Sequence, residues 1–213
     1  MINLGNVLIL GDSYSTYLGY IPEGYDYWYS DNIRPNNGVR SVDLTWWKKL
    51  MARVEGELVL NSSWSGTTIC HTGWRAEDYS ERSFVARLDK LIEEGFFEKN
   101  KIDTVLIYGG TNDSWIGVPM GEVMHGDVSR DDLFKFTPAV CRLLDRAREA
   151  LPLGKIIYIA NGFFRPEILD AIRHATEMTN SEMLVLQEID LNDGHPTAKG
   201  MTEIAEAILE FIK

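Results

Sequence analysis

Five short apolar runs, Val7–Leu10, Leu58–Leu60, Thr104–Tyr108, Ile156–Ala160 and Met183–Leu186, alternate along this chain with stretches of helical periodicity. Runs this short, several rich in Val and Ile, suit strands buried on both faces. Between them, Phe84, Leu88, Leu91 and Ile92 recur at a spacing near 3.6, which predicts a helix over 81–94. Met201, Ile204, Ala205, Ile208 and Ile212 form a similar stripe at the C-terminus, and Pro138 and Pro166 sit where a first helical residue tolerates proline. Asp43 is the candidate cap of a helix that would bury Leu44, Trp47, Leu50, Met51 and Val54.

Five β-α units joined by right-handed crossovers imply a parallel sheet covered on both faces. The expected architecture is a three-layer α/β/α sandwich with a flavodoxin-like five-stranded parallel sheet. With 213 residues and no linker, repeat or low-complexity tract, residues 1–213 read as one domain; the longest irregular segments are 14–42 and 109–130.

Charge narrows the partners. A net charge of −11 lacks the clustered Lys and Arg that nucleic acid or an anionic membrane surface would need. No apolar stretch reaches the roughly 20 residues of a membrane span, and the N-terminus lacks the pattern of a secretion signal, so a cytoplasmic protein is expected. Cys70 and Cys141 are isolated in sequence and read as small apolar packing groups. No His, Cys or Asp spacing resembles a metal ligand set, and no cofactor is implied.

In open α/β sheets, ligands bind beyond the carboxyl ends of the strands. There the sequence places Gly11-Asp12-Ser13, then Asn61-Ser62-Ser63-Trp64-Ser65-Gly66, then Gly109-Gly110-Thr111-Asn112-Asp113, and finally Asp190-Leu191-Asn192-Asp193-Gly194-His195-Pro196. A hydroxyl, a glycine amide, a side-chain amide and an imidazole thus reach one rim, the set that acyl transfer to water requires. A serine attacks well only when a base takes its proton, a task suited to histidine. The oxyanion that follows needs fixed donors, which the N–H groups of Ser13 and Gly66 and the amide of Asn112 would supply. Each piece has a plainer reading in isolation as a turn, cap or loop. Their order, one after each strand, is what joins them.

These motifs resemble the SGNH or GDSL family of serine esterases and acylhydrolases over essentially the whole chain. The resemblance implies Ser13 as nucleophile, His195 as base, and Ser13, Gly66 and Asn112 as the oxyanion hole. The family's acid usually lies three residues before the histidine, where this chain has Asn192. Asp193, Asp190, or a dyad served by Asn192 or a backbone carbonyl therefore remain open as the partner of His195. The G-x-S-x-G elbow of α/β-hydrolases is absent.

Nine aromatic residues crowd positions 14–47, more than twice an even share. Tyr14 and Trp28 from this cluster, with Trp64 and Trp115, are candidate walls for a sugar ring or acyl chain, although core packing explains some of the nine equally well. The expected substrate is a small ester, with an acylated sugar or short-chain ester first and a lysophospholipid or thioester second. A non-enzymatic rival uses Gly11–Thr16 as a phosphate loop or the fold as a sugar-binding module. The phosphate loop puts Asp12 against the anion and leaves Asn112 and His195 idle. His71 and His125 are expected as solvated loop residues.

Overall fold

A computed structural model describes residues 2–32 and 37–213, so part of the irregular 14–42 stretch, residues 33–36, lies outside the described residues. Five strands, β1 (Asn3–Gly11), β2 (Glu55–Ser63), β3 (Thr104–Tyr108), β4 (Lys155–Asn161) and β5 (Glu182–Leu186), form one parallel sheet in the order β2-β1-β3-β4-β5. This is the flavodoxin-like order. All five apolar runs lie inside these strands. All but β3 extend further, β1 and β2 because polar residues such as Asn3 and Glu55 pair at the open ends.

Successive side chains of a strand point to opposite faces, and β1 divides its apolar residues accordingly. Leu8 and Leu10 join a core with α2 (Phe84–Glu93), α3 (Phe96–Asn100), α5 (Phe136–Ala150) and α6 (Pro166–Met178). Val7 and Ile9 join a second core with α1 (Trp46–Met51) and α7 (Ala198–Phe211). Helices therefore cover both faces. Among the described residues, no helix is long and apolar enough to cross a membrane.

Three helix starts differ from expectation. Asp43 caps nothing: Ser41 Oγ accepts the Asp43 N–H before a single 3-10 turn, and α1 starts after Thr45, whose Oγ1 accepts from Lys48 N at 3.4 Å. Thr45 is extended, which breaks the anticipated helix in two, and α1 stops at Met51, short of Val54. Helix α2 starts at Phe84 with Ser83 as its cap, and Pro138 is the third residue of α5. Proline is tolerated throughout that first turn because its missing N–H would have no helical partner. Pro166 does open α6.

At the carboxyl end of the sheet, Gly11 pairs with Ser63 on one side and Tyr108 on the other. The three loops that follow β1, β2 and β3 consequently leave the sheet side by side.

Candidate active site

Ser13 lies in a single 3-10 turn after β1, where the Asp12 carboxylate accepts the Tyr14 N–H at 3.0 Å. The turn is clamped from outside. Trp46 Nε1 donates to Ser15 Oγ at 3.2 Å, while Trp47 Nε1 and Asn61 Nδ2 both donate to the Ser15 carbonyl, at 3.0 and 2.9 Å.

On the far side of the site, β6 (Leu191–Asn192) and β7 (His195–Pro196) form a small antiparallel hairpin that delivers His195. Its turn is held by two rings from the segment that follows β1: Tyr14 Oη donates to the Gly194 carbonyl at 2.5 Å, and Tyr29 Oη donates to the Pro196 carbonyl at 2.7 Å. Ser13 and His195 therefore meet across 182 positions of sequence, with Ser13 Oγ 2.9 Å from His195 Nε2. Both are buried, at 3% and 6% exposure.

The partner at Nδ1 of His195 is the backbone carbonyl of Asp193, at 3.0 Å. A carbonyl only accepts, so Nδ1 carries the proton and Nε2 presents its lone pair to Ser13. Asp193 sits at φ 51°, the left-handed geometry that Asp tolerates, and this turn aims its carbonyl back at the ring. Of the alternatives left open for His195, the contact seen at Nδ1 is a backbone carbonyl. Asp193 is an exposed residue that serves through its main chain, and the Asp190 carboxylate accepts the Thr197 hydroxyl at the start of α7. Asp193→Asn, which suits the left-handed turn, is expected to change kcat by no more than about threefold, and Asp190→Asn likewise. Replacing a true triad aspartate by asparagine costs about 10⁴, largely by imposing the wrong tautomer. Steady-state ester hydrolysis by the two variants measures the difference.

The amide of Asn112, second residue of α4 (Thr111–Ile116), is polarised by its neighbours. Nδ2 donates to the Thr67 carbonyl at 2.9 Å, and Oδ1 accepts from Trp74 Nε1 at 3.2 Å. Thr67 directly follows Gly66, whose φ of 78° places it in the left-handed region. The Gly66 loop is tied to β1 by Trp64 N donating to the Gly11 carbonyl at 3.1 Å.

Behind the site lies a buried charged group. Arg87 spans the ends of β1 and β2, donating to the carbonyls of Ser62 and Gly11 and to Thr67 Oγ1. Burial pushes the Asp12 carboxyl up to about 7 and Asp113 up to about 6, partly offset by the backbone N–H groups each accepts. Asp113 holds the N–H groups of Ile69 and Cys70, which fixes the loop carrying Thr67.

The aromatic cluster divides between core and site. Tyr14, Tyr17, Tyr29, Trp46 and Trp47 are buried, so most of the nine rings pack inside or brace the loops that carry Ser13 and His195. Tyr14 in particular is fully buried and is corrected from a substrate wall to a support for Gly194. Trp28 stacks on the His195 ring, 3.4 Å between centroids and 6° from parallel. Trp64 stacks on Tyr25 at 4.1 Å and donates to Asp26. Trp115 stands edge-on to His195 at 5.9 Å with 41% of its surface exposed. His71 is buried rather than solvated, 2.9 Å from Ser83 Oγ, and His125 pairs with Asp145 and His174 on the outside. Cys70 and Cys141 are buried and free.

Sequence reasoning missed Trp74 and Arg87, and it kept a backbone carbonyl open at His195 without saying whose. Trp74 and Arg87 lie outside the strand-end blocks, and a main-chain acceptor leaves no residue-type signal.

Residues 5–212 match the family model described as GDSL-like lipase/acylhydrolase. Among solved structures, one from Bacteroides ovatus, described as a candidate GDSL-like lipase, superposes with a TM-score of 0.89 at 37% identity, covering 99% of this chain and 98% of its own. A second, so described, from Bacteroides uniformis, gives 0.88 at 35% identity, with 97% and 94% covered. An acetyl xylan esterase from Butyrivibrio proteoclasticus shares the fold at 16% identity and a TM-score of 0.60, this chain spanning 64% of its length. Among functionally curated proteins no match was found. With a family model spanning nearly every residue and two relatives above one-third identity, the chain belongs to the GDSL-like lipase/acylhydrolase family of ester-hydrolysing enzymes.

Proposed function

We propose that residues 1–213 act as one hydrolase domain that cleaves a small neutral carboxylic ester through an acyl-enzyme on Ser13, with His195 as general base and acid. The observation that carries this reading is the 2.9 Å contact between Ser13 Oγ and His195 Nε2, with the tautomer set by the Asp193 carbonyl. His195 takes the hydroxyl proton as Oγ attacks the ester carbon, and the carbonyl π electrons move onto oxygen. The N–H groups of Ser13 and Gly66 and the free N–H of Asn112 Nδ2 receive that oxyanion. Collapse breaks the ester C–O bond while the imidazolium returns its proton to the leaving alcohol. Water, deprotonated by His195, then attacks the acyl-enzyme and releases the carboxylic acid.

Trp28, Trp64 and Trp115 form the proposed substrate wall, with Trp115 offering the open ring and Trp28 bracing the imidazole. Flat aromatic surface beside an ester-cleaving pair favours an acylated sugar. The fold shared with an acetyl xylan esterase supports the same direction, and the charge of −11 disfavours a polyanionic substrate. A screen of acetylated sugars and p-nitrophenyl esters of rising chain length, with Ser13→Ala as control, tests this. kcat/KM is expected to be highest for acetyl esters and to fall with chain length. A maximum at eight carbons or more would favour a lysophospholipase or thioesterase instead.

A further inference from the structure

Trp74 lies in none of the strand-end blocks, yet its indole N–H reaches the oxyanion amide. Its Nε1 is 3.2 Å from Asn112 Oδ1, across 38 positions of sequence. An indole N–H can only donate, and the Thr67 carbonyl, 2.9 Å from Asn112 Nδ2, can only accept. Together they allow one orientation of the Asn112 amide. In the flipped orientation NH₂ would face N–H and the amide oxygen would face a carbonyl, losing both bonds. The Thr67 carbonyl holds the amide at one end only, and the Trp74 N–H adds the second anchor that stops the plane from tilting about that bond.

The backbone around Trp74 is built at a cost. Arg75 and Ala76, at φ 56° and 59°, are consecutive non-glycine residues in left-handed geometry. Such strain persists only where the surroundings enforce it. Here the base of the turn is pinned by Tyr79 N to the His71 carbonyl at 2.7 Å and by Gly73 N to the Glu77 carbonyl at 2.8 Å. A side chain at position 73 would overlap the Tyr79 ring, so only glycine allows this close approach. The result is an excursion that presents Trp74 with 40% of its surface in solvent and its one polar atom on Asn112. Burying the ring does not explain the turn, since much of the ring stays outside.

Building on the serine-hydrolase reading above, we propose that Trp74 is a positioning residue that locks the Asn112 amide with its second N–H available to the oxyanion. The lock acts through Asn112 on the transition state and leaves ground-state binding nearly untouched.

Trp74→Phe keeps an aromatic ring at this half-exposed position and removes only the N–H. With p-nitrophenyl acetate, kcat is expected to fall about five- to tenfold, as for the loss of one hydrogen bond, with KM within about twofold. In an Asn112→Ala background the same substitution is expected to change kcat by less than about twofold, because the group it orients is gone. Equal falls in both backgrounds would overturn the proposal, as would a raised KM at constant kcat, which marks a substrate wall, or no change in either constant. Ser13→Ala assayed alongside separates the two levels. Turnover that survives in Ser13→Ala overturns the hydrolase reading and this role with it. Turnover lost in Ser13→Ala together with equal falls in the two backgrounds overturns the role of Trp74 alone.

Discussion

Ser13→Ala is expected to lower kcat by about 10⁴-fold or more, and Ser13→Ala combined with His195→Ala by scarcely more than either alone. As the proposed nucleophile and base, Ser13 and His195 act as one unit, so removing either removes covalent catalysis, and what remains comes from binding and the oxyanion donors. The 2.9 Å contact between Ser13 Oγ and His195 Nε2 makes this non-additivity specific. Were His195 only a buried packing residue, its loss would add an independent increment to that of Ser13→Ala. Folding should survive the serine change, since the hydroxyl is small and the turn is held by Trp46, Trp47 and Asn61 acting on Ser15. Single-turnover and steady-state hydrolysis of an activated acetate ester by the three variants measure the effect.

Asn112→Ala is expected to cost about 10²–10³ in kcat with KM changed by no more than a few-fold. Loss of one preorganised donor to an oxyanion carries that magnitude in enzymes of this chemistry, because the donor acts on charge that appears only in the transition state. Alanine also leaves the Thr67 carbonyl without its 2.9 Å partner, so a modest loss of stability, on the order of 1–3 kcal/mol, accompanies the kinetic effect. A thermal melt alongside the kinetics separates the two. A fall confined to stability, with kcat intact, would place Asn112 in the scaffold and outside the oxyanion hole.

Much of the fold could be read in the chain because buried parallel strands leave an unmistakable trace. The runs at Val7–Leu10, Thr104–Tyr108 and Ile156–Ala160 are apolar on both faces, and each lies inside a strand. Helix starts were less legible where several cap-forming residues stand close together. Ser41, Asp43 and Thr45 all suit a cap, and only the extended backbone at Thr45 decides which one opens α1. At the site, the residue types and their order brought Ser13 and His195 to one rim, because each follows a strand. The partner of His195 was not legible from residue type, since a backbone carbonyl belongs to every residue. What distinguishes Asp193 is a positive φ in a two-strand hairpin, which only tertiary structure sets. The aromatic cluster misleads for a similar reason. A ring near Ser13 in sequence can face the core, as Tyr14 does, and the ring whose N–H reaches the Asn112 amide, Trp74, comes from a separate loop.

The central proposal is that Ser13 is made nucleophilic by His195, whose Nδ1 faces the Asp193 carbonyl. Labelling by a fluorophosphonate ester, followed by peptide mass spectrometry, tests it most directly, because only an activated serine is phosphonylated rapidly. The prediction is one adduct on the peptide containing Ser13, formed at near wild-type rate in Asp193→Asn and Asp190→Asn and abolished in His195→Ala. An adduct elsewhere, or labelling that collapses when either aspartate becomes asparagine, would contradict it.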